Sequence, residues 1–289
     1  MKVIITGAKG QLGLALQRHA PRGMDVIPYA RADLDIADAR AVEFALVGAD
    51  ALINAAAYTD VESAELNAAD AFRVNSEGAA NLASACATRR IRLVHVSTDF
   101  VFDGTKEMPY LPNDEPHPLN VYGASKLEGE QRVLKILPEA CVVRTSWVHS
   151  ADTANFVTKI VQRMRAGAAV RVVTDEVGSP TATHSLAVAL WACVARPLRG
   201  IHHWSDAGSV NRFDYACAIA RLAVENELVP QTPAISPARA AEFAGGAKRP
   251  RYSVLATADT EAALGIRTKP WLEGLRLTMQ DLRHKQSEP

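Results

Sequence analysis

The first residues of the chain constrain its fold more than any later stretch. The β-branched run Lys2–Thr6 predicts a short buried strand, Gly7, Gly10 and Gly13 follow at three-residue spacing, and an apolar helix pattern begins at Leu12. A strand, a glycine turn and a helix in succession are the context of a dinucleotide-binding fingerprint. The glycines allow a tight turn and close approach to a pyrophosphate, which binds the N–H groups of the helix start. A glycine-rich turn without a ligand is the alternative, and the flanking elements argue against it.

Composition narrows the class of protein. At 289 residues, with 22% charged residues, the chain is long enough for one large globular domain or two unequal ones. Lysine plus arginine and aspartate plus glutamate each number 32, so no global basic field argues for a nucleic-acid partner. Met1 and Lys2 lead directly into a strand without a signal-peptide pattern, and no apolar run is long enough to span a bilayer, so no membrane partner is expected.

The cysteines favour a reducing compartment. Cys86, Cys141, Cys193 and Cys217 each lie in an apolar neighbourhood, without zinc-type or CxxC spacing. We therefore expect reduced packing residues in a cytoplasmic protein, and no metal site.

Strands and helices alternate through about residue 147, which predicts a Rossmann-type doubly wound parallel sheet. Residues 148–179 and 205–289 are then expected to form a smaller mixed α/β substrate-binding domain, and residues 1–147 and 180–204 the nucleotide-binding domain. The predicted strands are Lys2–Thr6, Val26–Tyr29, Asp50–Asn54, Leu93–Val96, Cys141–Arg144, Val170–Val173 and Gly200–Trp204. The predicted helices are Asp38–Leu46, Asp70–Thr88, Leu119–Leu137, Asn155–Ala166, Ser185–Ala195, Asn211–Glu227 and Trp271–Arg283.

The end of the second predicted strand bears on the choice of cofactor. NAD-binding units place an acidic residue here for the ribose 2′-hydroxyl, whereas this chain has Arg31, which suits a 2′-phosphate. Asp33 and Asp35 lie close by, so the charge pattern is mixed. We expect a preference for NADPH, with NADH left open, and expect Asp35 and Ile36 to flank the adenine.

Small residues close the third predicted strand. Ala55, Ala56 and Ala57 leave room for a ligand to lie against the backbone, or else fill a tight contact between a strand and a helix. Asn75, on the following predicted helix, is either a buried polar link to the active strand or a hydrogen-bonded core amide.

The residues that suggest chemistry lie further along the chain. Tyr122 and Lys126 are four apart on a predicted helix, so both side chains share one face. A nearby ammonium lowers the pKa of a phenol, and the hydroxyl of Thr98, after an apolar strand, can share a substrate oxygen with it. Together these groups make a general acid for a carbonyl that receives a hydride. The alternative is a surface tyrosine and lysine, because YxxxK alone is common.

Two later positions carry weaker signals. Trp147 follows a predicted strand and either stacks on a substrate ring or belongs to the core. Arg249 lies in the local basic cluster 248–251, which either holds a diphosphate or forms a solvated turn. The glycine turn, the alanines, Thr98 and Trp147 all fall at carboxyl ends of predicted parallel strands, where such sheets bind ligands.

The motifs resemble those of the extended short-chain dehydrogenase/reductases, and more closely those of the dTDP-4-dehydrorhamnose reductase family. The resemblance runs from the first strand almost to the end of the chain. The matching stretches are Thr6–Gly13, Asn54–Thr59, Val96–Gly104, Asn120–Glu130, Arg144–Trp147, Thr174–Asp175, Gly178–Thr181 and Arg249–Ser253.

This resemblance implies that NAD(P)H reduces the 4-keto group of dTDP-6-deoxy-L-lyxo-4-hexulose to give dTDP-L-rhamnose. It implies Tyr122 as the proton donor, Lys126 as the residue that tunes it and holds the nicotinamide ribose, and Thr98 as a substrate contact that adjusts the phenol. Asp99 and Trp147 match substrate contacts of the family. The matching cofactor contacts are Gly10, Gln11, Leu12, Asp35, Ile36, Ala57, Tyr58 and Thr59.

The chain also departs from the family pattern. Some members dimerise through Mg²⁺ held by glutamates, one of them in the first helix, where this chain has Ala15. We therefore expect no magnesium requirement, and a monomer or a homodimer formed without the metal. Phe100 replaces a common tyrosine, and Ala256 replaces a common asparagine, which bears on the choice of hexulose.

Two alternatives belong to other classes. One is a non-catalytic NADP-binding subunit, because the regulatory subunit of methionine adenosyltransferase resembles the same fold; the intact Thr98, Tyr122 and Lys126 argue against it. The other is a nucleotide-sugar epimerase or dehydratase. Asp99 can serve as the acid of a dehydratase, but Phe100 cannot serve as its base.

Overall fold

The computed structural model describes residues 1–231, 234–243 and 246–287. Its strands are β1 (Lys2–Thr6), β2 (Asp25–Tyr29), β3 (Ala51–Asn54), β4 (Arg92–Thr98), β5 (Cys141–Thr145), β6 (Val148–His149), β7 (Val170–Val173), β8 (Val177–Gly178), β9 (Thr181–Ala182), β10 (Gly200–His203), β11 (Val210–Asn211) and β12 (Ile235–Ala238). Its helices are α1 (Gln11–Arg18), α2 (Ala39–Ala45), α3 (Val61–Leu66), α4 (Ala68–Phe72), α5 (Ala79–Arg89), α6 (Val121–Ile136), α7 (Phe156–Arg165), α8 (Thr183–Ala195), α9 (Arg212–Glu225), α10 (Ala258–Leu264) and α11 (Trp271–Ser287).

A parallel sheet in the order β10-β5-β4-β3-β1-β2 organises the fold. The order runs outward in both directions from β1 and β3, as in a doubly wound nucleotide-binding fold. The prediction of a Rossmann-type parallel sheet is therefore confirmed. The edge strand β10 joins the sheet only after the chain has left it at β5 and passed through residues 146–199.

Helices cover both faces of this sheet, which is why its central strands β1 and β3 are mostly apolar rather than alternating. On one face Val3 and Ile5 pack with Leu16 of α1 and Leu190 of α8. On the other face Ile4 packs with residues of α2 and α5, and Val3, Ile4 and Ile5 are all 0% exposed.

A third apolar cluster lies away from the sheet. It joins α7, α9 and α11 to β7, with Val157, Tyr215, Ile219 and Leu275 at its centre. Two short strand pairs, β8 with β11 and β6 with β9, lie in the same part of the chain. No helix in the described ranges has the length and apolar character needed to cross a membrane.

The long helix predicted for Asp70–Thr88 is interrupted. After α4 the backbone forms a π-helical turn at Arg73–Gly78 before α5 begins. A π-turn inserts one extra residue into the helical repeat, and such turns are frequent at functional sites. Here the turn includes Asn75, whose buried amide bonds Tyr58 and Ser125.

Candidate active site

A cleft of about 2170 Å³ lies along the carboxyl ends of β1, β3, β4 and β5. Every site residue predicted from the sequence contributes to its lining, whereas the roles assigned to them remain predictions. These lining residues are Gly7, Gly10, Gln11, Leu12, Gly13, Arg31, Asp35, Ile36, Ala55, Ala56, Ala57, Tyr58, Thr59, Thr98, Asp99, Tyr122, Lys126, Trp147 and Arg249.

The glycine turn forms a cradle in which side chains have no room. Gly7 has a φ of +72°, and a Cβ there would lie 2.6 Å from the carbonyl oxygen of Ala55. A Cβ on Gly13 would lie 2.2 Å from the carbonyl oxygen of Gly7. Gly10 caps α1 without a side-chain hydrogen bond, so the helix start presents free backbone N–H groups to the cleft. This cradle fits the pyrophosphate of a dinucleotide.

Buried hydrogen bonds tie the ends of β1, β3 and β4 together. The hydroxyl of Thr6 donates to Oδ1 of Asn54 over 2.7 Å, and Nδ2 of Asn54 lies 2.9 Å from Nδ1 of His95. The backbone N–H of Ala56 donates to the same Asn54 oxygen. Because these contacts are buried, they hold the alanine segment rigidly at the mouth of the sheet.

Asn75 joins this segment to the helix that carries the proposed catalytic residues. Its Oδ1 accepts from the backbone N–H of Tyr58 over 2.8 Å, and its Nδ2 donates to the carbonyl of Tyr58 and to Oγ of Ser125. It is therefore a buried, hydrogen-bonded amide, which fits the second of the two sequence alternatives rather than a link to the active strand. It links a loop and α6, rather than the active strand.

At the far end of the cleft, both aspartates near Arg31 already have partners. Asp33 accepts from the N–H of Ala30, and Asp35 accepts from the N–H of Ala37 and from Arg73 over 2.9 Å. The Ala37 N–H and the Arg73 guanidinium lower the pKa of Asp35. Arg31 is exposed and forms no ion pair within the described ranges, so its guanidinium is available to a ligand.

Tyr122 sits half-buried on the cleft wall, with its ring 5.6 Å from the ring of Phe100. Burial is the main cause that raises the pKa of the Tyr122 phenol to about 12, with the Thr98 hydroxyl opposing the rise and the nearby Asp99 carboxylate adding to it. The phenol therefore keeps its proton at neutral pH. Such a group is suited to donate a proton rather than to accept one.

Lys126 is not among the groups that shift the pKa of this phenol here, and its tuning of Tyr122 stays a prediction. The Lys126 ammonium donates to the carbonyl of Val96 over 2.7 Å, and burial lowers its own pKa to about 8. The groups that shift the pKa of Tyr122 are its burial, Thr98 and Asp99. The ammonium is held by the end of β4 instead of by the phenol.

Asp99 is the buried carboxylate of the site. Burial raises its pKa to about 6, while hydrogen bonds from Ser253 and Thr98 and the charge of Arg212 lower it. Oδ1 of Asp99 accepts from the hydroxyl of Thr98 over 3.2 Å. Asp99 therefore connects Thr98 to the C-terminal part of the chain through Ser253 and Arg212.

Arg249 is half-buried and has an ion-pair partner. Its guanidinium pairs with Glu62 of α3, whose other oxygen accepts from the N–H of Ala247 over 2.9 Å. Nearby, Asn120 donates to the carbonyl of Lys248 over 2.7 Å. The segment 247–249 is thus fastened across the cleft mouth to α3 and to the start of α6.

Arg212 and Glu176 also line the cleft, and sequence reasoning missed both residues. The Arg212 guanidinium carbon lies 3.4 Å from the centre of the Trp147 ring, and its Nε lies 3.6 Å from Oε2 of Glu176. Arg212 begins a helix that was predicted, but its partners lie 65 and 36 residues away in the chain. No local pattern marks such a contact.

The doubly wound sheet, the glycine cradle and the set of Thr98, Tyr122 and Lys126 define an extended short-chain dehydrogenase/reductase, a class of nucleotide-dependent oxidoreductases. The sequence model of the RmlD substrate binding domain matches residues 1–284. The chain belongs to this family.

Named relatives agree with that assignment. A dTDP-4-dehydrorhamnose reductase of Mycobacterium tuberculosis is 43% identical over 263 residues, covering 89% of this chain and 85% of the relative. The crystal structure of a dTDP-4-dehydrorhamnose reductase from Clostridium acetobutylicum superimposes with a TM-score of 0.92 at 35% identity, covering 98% and 100% of the two chains. The enzyme of that name from Bacillus anthracis, solved in complex with NADP, gives 0.91 at 33% identity, covering 97% and 99%.

Proposed function

We propose that this chain is an NADPH-dependent reductase of a dTDP-4-keto-6-deoxy sugar, converting dTDP-4-dehydrorhamnose to dTDP-L-rhamnose. The observation that carries the proposal is the placement of Thr98, a protonated Tyr122 and Lys126 in the same cleft as the glycine cradle. The relatives that the chain resembles over most of its length are named for this reaction.

NADPH supplies, when bound, the hydride that adds to C4 of the sugar. Tyr122 donates the proton that the C4 oxygen acquires as the carbonyl becomes a hydroxyl, so one hydride and one proton complete the reduction. Thr98 holds the same oxygen and keeps the phenol in place. We assign to Lys126, which donates to the carbonyl of Val96, the task of holding the nicotinamide ribose.

The remaining site residues support binding. Gly7, Gly10 and Gly13 make room for the cofactor pyrophosphate, and Arg31 is placed to meet a 2′-phosphate. We assign Asp99 and Trp147, which line the cleft, to the sugar, and Arg249 to the diphosphate of the sugar nucleotide, for which it would exchange Glu62.

The division into residues 1–147 plus 180–204 and residues 148–179 plus 205–289 is part of this proposal. Strand β10 supports it, because it pairs with β5 although it lies far along the chain. We place the enzyme in the cytoplasm as a monomer or a homodimer. Cys86, Cys141, Cys193 and Cys217 are free, which suits a reducing compartment.

The test is the oxidation of NADPH, followed at 340 nm, with the purified protein and a small panel of NDP-4-keto-6-deoxy sugars. We expect turnover with dTDP-4-dehydrorhamnose and a product whose proton NMR spectrum is that of dTDP-L-rhamnose. Binding of NADPH without consumption on any substrate of the panel would refute the reductase and favour a binding subunit. Release of a product without net NADPH oxidation would favour an epimerase or a dehydratase.

A further inference from the structure

Trp147 has a backbone conformation that its residue type disfavours. Its φ is +44°, in the left-handed region, and it lies two residues after the end of β5 at the cleft. A non-glycine residue stays in that region only where its surroundings hold it there, and such strain clusters at ligand sites. The surroundings of this indole therefore have a positioning task.

Two contacts confine the indole. The planar guanidinium of Arg212 lies over the ring at 3.4 Å from its centre, which is a stacked cation–π arrangement. At the ring edge, Gly178 approaches so closely that a Cβ there would lie 2.5 Å from Cε2 of Trp147. One contact fixes the plane of the ring and the other fixes its edge.

Both contacts come from one small structural unit. Strands β8 and β11 pair antiparallel, with Val210 opposite Gly178, and the N–H of Arg212 donates to the carbonyl of Glu176 over 3.1 Å. Nε of Arg212 lies 3.6 Å from Oε2 of Glu176, and the arginine side chain is 15% exposed. The guanidinium is therefore held in place by its own ribbon before it meets the indole.

We propose that Arg212 is the positioning residue of Trp147: stacked on the indole and held by Glu176, it fixes the ring, together with Gly178, as a rigid wall of the cleft beside Asp99. This inference rests on the proposed function in one respect, namely that this wall contacts the sugar nucleotide. It assigns to Arg212 an action through Trp147, not a contact with the reacting atoms. A preorganised wall lowers the ordering cost of binding, so its loss raises KM more than it lowers kcat.

The kinetic test is a double-mutant cycle with Arg212→Gln and Trp147→Phe. We expect Arg212→Gln to lower kcat/KM for the sugar nucleotide about tenfold in the native background, mainly through KM, and less than about twofold in the Trp147→Phe background. Arg221→Gln is the matched control, because Arg221 lies on the same helix and pairs with Glu225 at the surface. An equal loss in both backgrounds would mean that Arg212 acts directly on the substrate, and would overturn the proposal.

The spectroscopic test needs no turnover, so it stands even if the proposed reaction fails. The contribution of Trp147 to acrylamide quenching is obtained by subtracting the signal of Trp147→Phe. We expect Arg212→Gln and Gly178→Ala each to increase quenching of this residue at least about twofold, because the first removes the stacked guanidinium and the second adds a Cβ that displaces the ring, while Arg212→Lys gives an intermediate value.

Gly178→Ala keeps the arginine, so it tests the wall even if Arg212→Gln does not fold. Folding of each variant is checked by circular dichroism. Unchanged quenching of Trp147 in a folded Arg212 variant would contradict the proposal, whatever the kinetics show.

Discussion

Single residues in this cleft owe their chemical state mainly to burial. Burial raises the pKa of the Tyr122 phenol to about 12 and lowers that of the Lys126 ammonium to about 8. It also raises the pKa of Asp99 to about 6. The phenol is consequently protonated at neutral pH, and the neighbouring Lys126 ammonium loses its proton more readily than that of a free lysine.

The first prediction concerns that proton. Tyr122→Phe keeps the ring beside Phe100 and removes the hydroxyl, so kcat should fall by about 10²–10⁴-fold, the usual contribution of a general acid. NADPH affinity, measured by fluorescence titration, should change little. Lys126→Met should instead weaken both NADPH binding and turnover.

Tyr110→Phe serves as the control. It also loses a tyrosine hydroxyl, which donates to Asp103 over 2.9 Å, and Tyr110 itself is not one of the residues that line the cleft. Its kcat should stay close to that of the native protein. A Tyr122→Phe enzyme with native kcat would remove the phenol from the mechanism.

The second prediction concerns the cofactor. Arg31 is exposed at the cleft and its neighbouring aspartates are engaged elsewhere, so NADPH should be preferred over NADH by about tenfold in kcat/KM, or about 1.4 kcal/mol. Arg31→Asp should reverse the order, since a carboxylate repels a 2′-phosphate and binds a 2′-hydroxyl. Arg40→Asp, on α2 and outside the cleft lining, should leave the ratio unchanged. Equal kcat/KM for the two cofactors in the native enzyme would contradict this prediction.

The site residues that could be predicted from the sequence are those that local spacing along the chain marks. The spacing of Gly7, Gly10 and Gly13 predicts a cradle, because a tight turn between a strand and a helix needs glycine. Arg212 and Glu176 carry no such signal, because their role depends on an indole that only the folded chain brings to them. The orientation of the Lys126 ammonium was also beyond reach, since it is decided by the carbonyl of Val96.

At the level of elements, the strands of the main sheet were predictable because their apolar runs are buried on both faces. The two-residue strands β8, β9 and β11 were not predictable, because two residues carry no periodicity. The π-turn at Arg73–Gly78 was missed for a related reason: its residues fit an ordinary helical pattern. The π-turn contains Asn75, whose side-chain amide bonds Tyr58 and Ser125.

The third prediction tests the contact between this π-turn and α6. A Cβ on Gly129 would lie 2.1 Å from the backbone oxygen of Asn75, so Gly129→Ala must push the two helices apart. Overpacking of this kind costs about 1–3 kcal/mol of unfolding free energy. Urea unfolding should show this loss, and NADPH affinity should fall with it because Asn75 holds Tyr58.

Gln131→Ala is the control for this variant. Gln131 lies on the same helix but is exposed, so its replacement should change stability by less than about 0.5 kcal/mol. Native stability of Gly129→Ala would show that the contact between α6 and the π-turn is loose.

At the level of the whole molecule, the fourth prediction concerns metal. Ala15 is 1% exposed, and its methyl side chain provides no oxygen ligand. Some members of the family have a glutamate at this position. Activity should therefore be unchanged by EDTA, and the mass in solution, measured by light scattering, should be the same with and without magnesium. Loss of activity in EDTA that added magnesium restores would contradict this prediction.

The late arrival of β10 has a consequence for how this protein is made. During synthesis, β5 emerges long before Gly200–His203, so its outer edge has no neighbouring strand while residues 146–199 are being added. An open strand edge offers unpaired N–H and C=O groups to any other extended chain. The nascent polypeptide is thus most prone to aggregate in this interval, and shielding by a chaperone is most valuable just before residue 203 leaves the ribosome.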